Sequence, residues 1–142
     1  MTIGLPARCL AIDLGDKRTG LAVGDRETRV VSPLTVLEIP RGPRLLQAIM
    51  TKIEEHRPDA LVLGLPVNMD GTEGERAKIV RTFGEELMKE TGLPVHCQDE
   101  RLTTYAADQS MARSGRTRKQ KKSLRDALAA VEILRDFLES RD

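Results

Sequence analysis

The run "DALVLGLP" at residues 59–66 is almost wholly apolar. A strand with one wet face alternates apolar and polar residues, whereas an unbroken apolar run is the pattern of a strand buried on both faces. Such a strand needs helical layers above and below its sheet, which constrains the chain to an α/β architecture.

The rest of the chain can be built around that strand. Residues 8–15, "RCLAIDLG", and 20–25, "GLAVGD", are two shorter apolar runs, and Gly15 and Gly20 bracket "DKRT" between them, the mark of an antiparallel hairpin. Residues 29–39 supply a third strand with Pro33 at a bulge or an edge, because proline cannot donate to a ladder. The period then changes. Leu45, Leu46, Ile49, Met50 and Ile53 recur at helical spacing, with Pro43 near the helix start. Beyond the buried strand, "VNMDGTEGE" (67–75) reads as a loop with an Asp-Gly turn. Thr72 and Glu75 form a capping box for a helix reaching about Thr91, which Gly92 and Pro94 close.

Residues 94–100, "PVHCQDE", read as the fifth strand. Thr103 or Thr104 caps a helix to about Arg113, and residues 113–123 form a loop. The spacing of Ser123 and Asp126 then fits the start of a last helix, with Leu124, Ala127, Leu128, Val131, Leu134 and Leu138 on one face. The expectation is one domain over residues 1–142, a mixed five-stranded sheet with helices on both faces.

Several function classes fall away. Aromatic content is 2%, confined to Phe83, Tyr105 and Phe137, too little for a single-strand binder built on stacking platforms. Gly15 and Gly20 have the first spacing of a Walker loop, but Leu21 and Ala22 stand where its lysine and hydroxyl belong. The dinucleotide fingerprint is absent, and a hairpin rather than a helix follows the turn. Cys9 and Cys97 have no zinc spacing with each other or with His56 and His96, and read as buried thiols in a reducing compartment. No apolar run approaches the roughly 20 residues of a membrane span, so a cytoplasmic protein without membrane contact is expected.

Three acidic positions and one basic run remain. Asp13 ends the first strand, Asp99 and Glu100 end the last, and Asp126 opens the final helix beside Ala127, Ala129 and Ala130. Singly, each has an ordinary explanation: a turn former, a first-turn carboxylate on a helix dipole, and a cap. Arg113, Arg116, Arg118, Lys119, Lys121, Lys122 and Arg125 place seven cations without an acid over residues 113–125. The formal net charge is only +1, so distribution matters more than total: cations beside carboxylates suit a polyanion whose phosphates must approach a metal.

In this order, "DLGDKRTGLAVGD", "LVLGLPVNMDGTEGERA", "QDERLTT" and "RDALAAVEILRDFL" resemble the YqgF/RuvX family over roughly residues 8–139. Its members are described as Holliday-junction-resolvase-like proteins and pre-16S ribosomal RNA nucleases. The resemblance implies a ribonuclease-H-like fold and carries the family's acidic trio to Asp13, Glu100 and Asp126. The chain departs from many relatives at Arg125, where an acidic or small polar residue is usual.

On that reading, carboxylates from two strand ends and one helix start converge at the edge of the sheet. Oxygen donors select hard cations such as Mg²⁺ or Mn²⁺, and two ions ~3.5–4 Å apart would serve phosphodiester hydrolysis. Asp13 would bridge them, with Lys17, Arg18, Arg101, Arg116, Arg118, Lys119, Lys121 and Lys122 on the nucleic acid. The expected activity is a metal-dependent endonuclease on structured nucleic acid, through pre-16S rRNA 5′-end processing or Holliday junction resolution. The rival is an RNA- or ribosome-binding assembly factor without catalysis. A nucleotide binder of the actin-like type is weaker, since it needs a second domain. A homodimer would favour the junction branch, because resolving a junction takes two active sites.

Overall fold

The computed structural model describes residues 7–100 and 118–140, with side chains in the second stretch from residue 127 onward. Strands β1 (Arg8–Asp13), β2 (Thr19–Asp25) and β3 (Val31–Leu37) meander antiparallel. Helix α1 (Pro43–His56) leads to β4 (Ala60–Leu65), which lies parallel to β1. Helix α2 (Glu75–Thr91) leads to β5 (Val95–Asp99), parallel to β4, and α3 (Arg118–Ser140) ends the described chain. The order across the sheet is β3-β2-β1-β4-β5. The unbroken run of β4 is buried at every residue, as a strand covered by helices on both sides must be.

Strand alternation sorts the core into two unlike halves. Leu10, Ile12, Leu21, Leu61 and Leu63 point to one face and meet Leu45 and Ile49 of α1 with Phe83 and Leu87 of α2. Cys9, Ala11, Ala22, Ala60 and Val62 point to the other and meet Ile133, Leu134 and Phe137 of α3. The second face is made of small side chains, so α3 rides close to the sheet. A Cβ at Gly24 would lie 2.8 Å from Leu134 Cδ2, and one at Gly64 would collide with Ile133. Large side chains on the first face, by contrast, fill the wider layer beneath two helices.

Several expectations meet their outcome here. Pro33 lies on the edge strand, and the register slips beside it: Leu21 pairs with Thr35 and Ala22 with Pro33, which leaves Leu34 as the bulge. Pro43 opens α1, and Gly92 closes α2 in the left-handed region at φ 73°. The capping box is a correction. Gly74 is the N-cap of α2 and no side chain caps it, because Thr72 is engaged with Asp70 and Asn68 in the preceding turn.

The start of the last helix is a second correction. Helix α3 is already formed at Arg118, so Ser123 is an interior residue and residues 118–123 are not a loop. The run "RKQKK" consists of good helix formers, and its propensity outweighs the cap-like spacing that follows. The helix expected near residues 103–113 lies outside the described residues.

Candidate metal and nucleic-acid site

The carboxyl ends of β1, β4 and β5 share one edge of the sheet, the edge where open α/β sheets place their ligands. Asp13 closes β1 opposite Gly20. It has the parity of Cys9 and Ala11, which puts it on the α3 face. Glu100 follows β5, and its main-chain N–H donates to the Leu65 carbonyl at 3.2 Å. In β5 the His96 ring meets Phe137 of α3 at a centroid distance of 5.1 Å, while Val95 and Cys97 pack on the opposite core. Continued alternation turns Glu100 to the α3 face and Asp99 away from it.

The two carboxyl groups therefore meet. A side-chain hydrogen bond joins Glu100 to Asp13. Burial, then the charge of Asp13 and that hydrogen bond, push Glu100 up to about 8, against a smaller opposing pull from Arg76. These effects favour one proton shared between the two carboxyl groups. Gly64 of β4 makes room for this contact, since a Cβ there would stand 2.6 Å from Glu100 Oε2.

A like-charged pair that must share a proton is a site that a divalent cation can take over, and oxygen donors of this kind suit Mg²⁺ or Mn²⁺. Asp126 belongs to α3, and its side chain lies outside the described residues. The helix brings its backbone the right way: Phe137 lies by His96 at the start of β5, and Ile133 by Gly64 near the end of β4. Asp126 is roughly 10 Å further along that axis, toward the edge that carries Asp13 and Glu100. Among the described residues no three His, Cys, Asp or Glu side chains gather as a metal site.

The tight β1–β2 turn carries Lys17, exposed, and Arg18, half-buried. Gly15 is required there because any Cβ would run into the Arg18 carbonyl. Arg101 and Arg116 lie outside the described residues. Arg118, Lys119, Lys121 and Lys122 occupy the first turns of α3, and their side chains are likewise outside.

Other groups at this edge have no sequence signal. Arg41, before α1, donates to Asp16 Oδ1 at 2.8 Å, and Arg76, in the first turn of α2, donates to Asp16 Oδ2 at 3.3 Å. The contacts span 25 and 60 residues of chain, so no local pattern announces them. The loop between β4 and α2 is braced as well. Asn68 N–H donates to the Thr72 carbonyl at 2.9 Å, and Arg81 grips both oxygens of Glu73 at 2.6 and 2.7 Å. Both thiols are held toward their protonated form: burial, with the charges of Asp59 and Asp25 behind it, pushes Cys9 up to about 11, and burial raises Cys97 too.

Residues 7–140 match the model of a family described as RuvX: Holliday junction resolvase. A protein of Rickettsia bellii (strain OSU 85-389) named "Putative pre-16S rRNA nuclease" is 37% identical over 134 residues, 94% of this chain and 87% of that protein. One of the same name from Agathobacter rectalis is 40% identical over 136 residues, 93% of this chain and 94% of the relative. Among solved structures, Thermus thermophilus RuvC in complex with Holliday junction substrate superposes with a TM-score of 0.60 at 17% identity, covering 94% of this chain and 95% of that one. Fowlpox virus resolvase with its substrate Holliday junction DNA gives 0.60 at 11% identity, covering 94% and 98%. At those identities the structural likeness speaks to the fold, which is ribonuclease-H-like. The match across residues 7–140, with relatives of 37–40% identity along nearly the whole chain, places this protein in the RuvX family.

Proposed function

We propose that the chain is a divalent-metal-dependent endonuclease acting on phosphodiester bonds of structured nucleic acid. Asp13, Glu100 and Asp126 would hold Mg²⁺ or Mn²⁺. The observation that carries this reading is the half-buried, hydrogen-bonded Asp13–Glu100 pair at the carboxyl edge of the sheet. Two acids forced together cost stability unless a proton or a cation relieves them, and here burial makes the relief necessary. The bound metal would supply an activated water and charge relief for the leaving oxygen. The protein's own part is to keep the oxygens together, exclude competing water with Ile133 and Gly64, and bring the backbone into reach with cations of the β1–β2 turn and of α3.

The relatives' name favours a pre-16S rRNA precursor as substrate, and the family's description keeps branched DNA beside it. A cleavage assay on a pre-16S rRNA leader fragment and on a four-way DNA junction, in Mg²⁺, Mn²⁺ or EDTA, tests both. Cleavage of either that needs the metal is expected. Asp13→Asn and Glu100→Gln should each lower the rate by more than the roughly 10–100-fold typical of losing a mere supporting partner of a metal ligand. Asp99→Asn should cost far less, because Asp99 faces the other way. Tight, metal-independent binding with no product from either substrate would instead make the chain an RNA-binding assembly factor.

A further inference from the structure

Asp16 follows Asp13 by three residues, in the turn that leaves the acidic edge, and its carboxylate is caught between two arginines. Arg41 takes one oxygen and Arg76 the other, and the Arg41 main-chain N–H also donates to the Asp16 carbonyl at 3.2 Å. The side chains are 61% exposed at Asp16, 34% at Arg41 and 56% at Arg76, so water screens the pairs and their yield in stability is small. Yet the geometry is specific: two guanidinium groups from separate elements approach two oxygens of one anion. Guanidinium groups suit phosphate oxygens at least as well as a carboxylate. Arg76, which holds Asp16, also favours the ionised form of Glu100 through its charge.

We propose that Arg41 and Arg76 form a clamp for a backbone phosphate of the substrate, and that Asp16 is an internal carboxylate which fills the clamp until that phosphate displaces it. The proposal rests on the nucleic-acid reading above. Neither arginine belongs to the basic run 113–125, so the clamp is a second cationic contact, carried by the chain just before α1 and by the first turn of α2, the two helices that cover the sheet face opposite α3. With Asp16 seated, the arginines are held ready and net repulsion between them is cancelled. With Asp16 released, two positive charges face the incoming backbone.

The test is binding of a fluorescein-labelled RNA hairpin and of a labelled four-way DNA junction by anisotropy, with Ca²⁺ replacing Mg²⁺ and intact probe verified on a gel. Arg41→Gln and Arg76→Gln should each weaken binding about 3- to 10-fold and lower the log–log salt slope by about 0.7–0.9, one phosphate contact apiece. Arg76→Lys, which keeps the charge without the fork, should retain most of the slope. Asp16→Asn should tighten binding about 3- to 10-fold, and that gain should vanish when Arg41→Gln and Arg76→Gln are also present. Tightening that persists without the arginines would be a general charge effect and would overturn the clamp. So would Asp16→Asn that lowers the melting temperature with affinity unchanged or reduced, since Asp16 would then be only a strut between loops. Arginine variants with the full salt slope sink it as well. If the unaltered protein binds neither probe at low salt, the nucleic-acid reading itself fails, and the clamp with it.

Discussion

Among the described residues, Glu100 is pushed furthest from its ordinary titration. Its ordinary value near 4.5 rises to about 8 in the fold, for burial and for Asp13, so the folded protein binds a proton that the unfolded chain gives up between those values. The sign follows: this contribution to stability is complete below about 4.5 and is lost as pH rises through about 8. In EDTA, urea melts should show stability falling across that window, and Glu100→Gln should flatten the decline. Saturating Mn²⁺ should flatten it too by taking the proton's place, and calorimetry near pH 7 in two buffers of different ionisation enthalpy should register roughly one proton released on metal binding. A Mn²⁺ titration that moves neither the melting temperature nor the proton count would remove the metal from this pair.

At the scale of elements, the small-residue face of the sheet decides how close α3 may come and what it covers. Gly64→Ala drives a methyl group into both Ile133 and the Glu100 carboxyl, and should cost about 1–3 kcal/mol by overpacking. Gly24→Ala presses on Leu134, the chain neighbour of Ile133 on α3, and should cost a comparable amount. Only the first should also weaken Mn²⁺ binding, because only Gly64 touches Glu100; equal metal affinity in the two variants would separate the glycine from the site. The N-terminal part of α3 makes a second forecast. A cap at Ser123 would be worth about 0.5–2 kcal/mol, whereas an interior serine replaced by alanine is neutral or gains up to about 0.5 kcal/mol from propensity. Chemical denaturation of Ser123→Ala should give the second result, since the helix is already running at Arg118.

For the whole molecule, a net charge of +1 conceals an uneven surface. Cations cluster along the chain in residues 113–125, and in the fold Arg41 and Arg76 gather beside the β1–β2 turn that carries Lys17 and Arg18. Each cation that meets a phosphate releases counterions, so binding should fall linearly in a log–log plot against salt. Replacing Arg116, Arg118, Lys119 and Lys121 together by Gln should reduce that slope by up to about three to four. The loss should be similar for different sequences, as phosphate contacts position without specifying. An unchanged slope would leave the run as a solvated helix surface and shift the anchor to Lys17, Arg18 and the arginines beside Asp16.

The sequence by itself determined the elements whose cause is local. The unbroken β4 run, the hairpin around "DKRT", Pro33 at an edge bulge, and the ends of α1 at Pro43 and α2 at Gly92 are written in neighbouring residues. Propensity and turn chemistry act over a few positions, and so could be read without the fold. Resemblance named Asp13 and Glu100, but their shared proton depends on a strand order that brings the ends of β1, β4 and β5 together and on Gly64 leaving space between them. The grip of Arg41 and Arg76 on Asp16 likewise exists only once chain segments 25 and 60 residues apart are folded against one another. The capping box at Thr72 failed for a nearer reason: the loop closes on Asn68 and Asp70, four and two residues away, and the hydroxyl expected at the helix start is spent inside that loop. Charge and burial act through space, and space is what the linear chain leaves open until the sheet has ordered it.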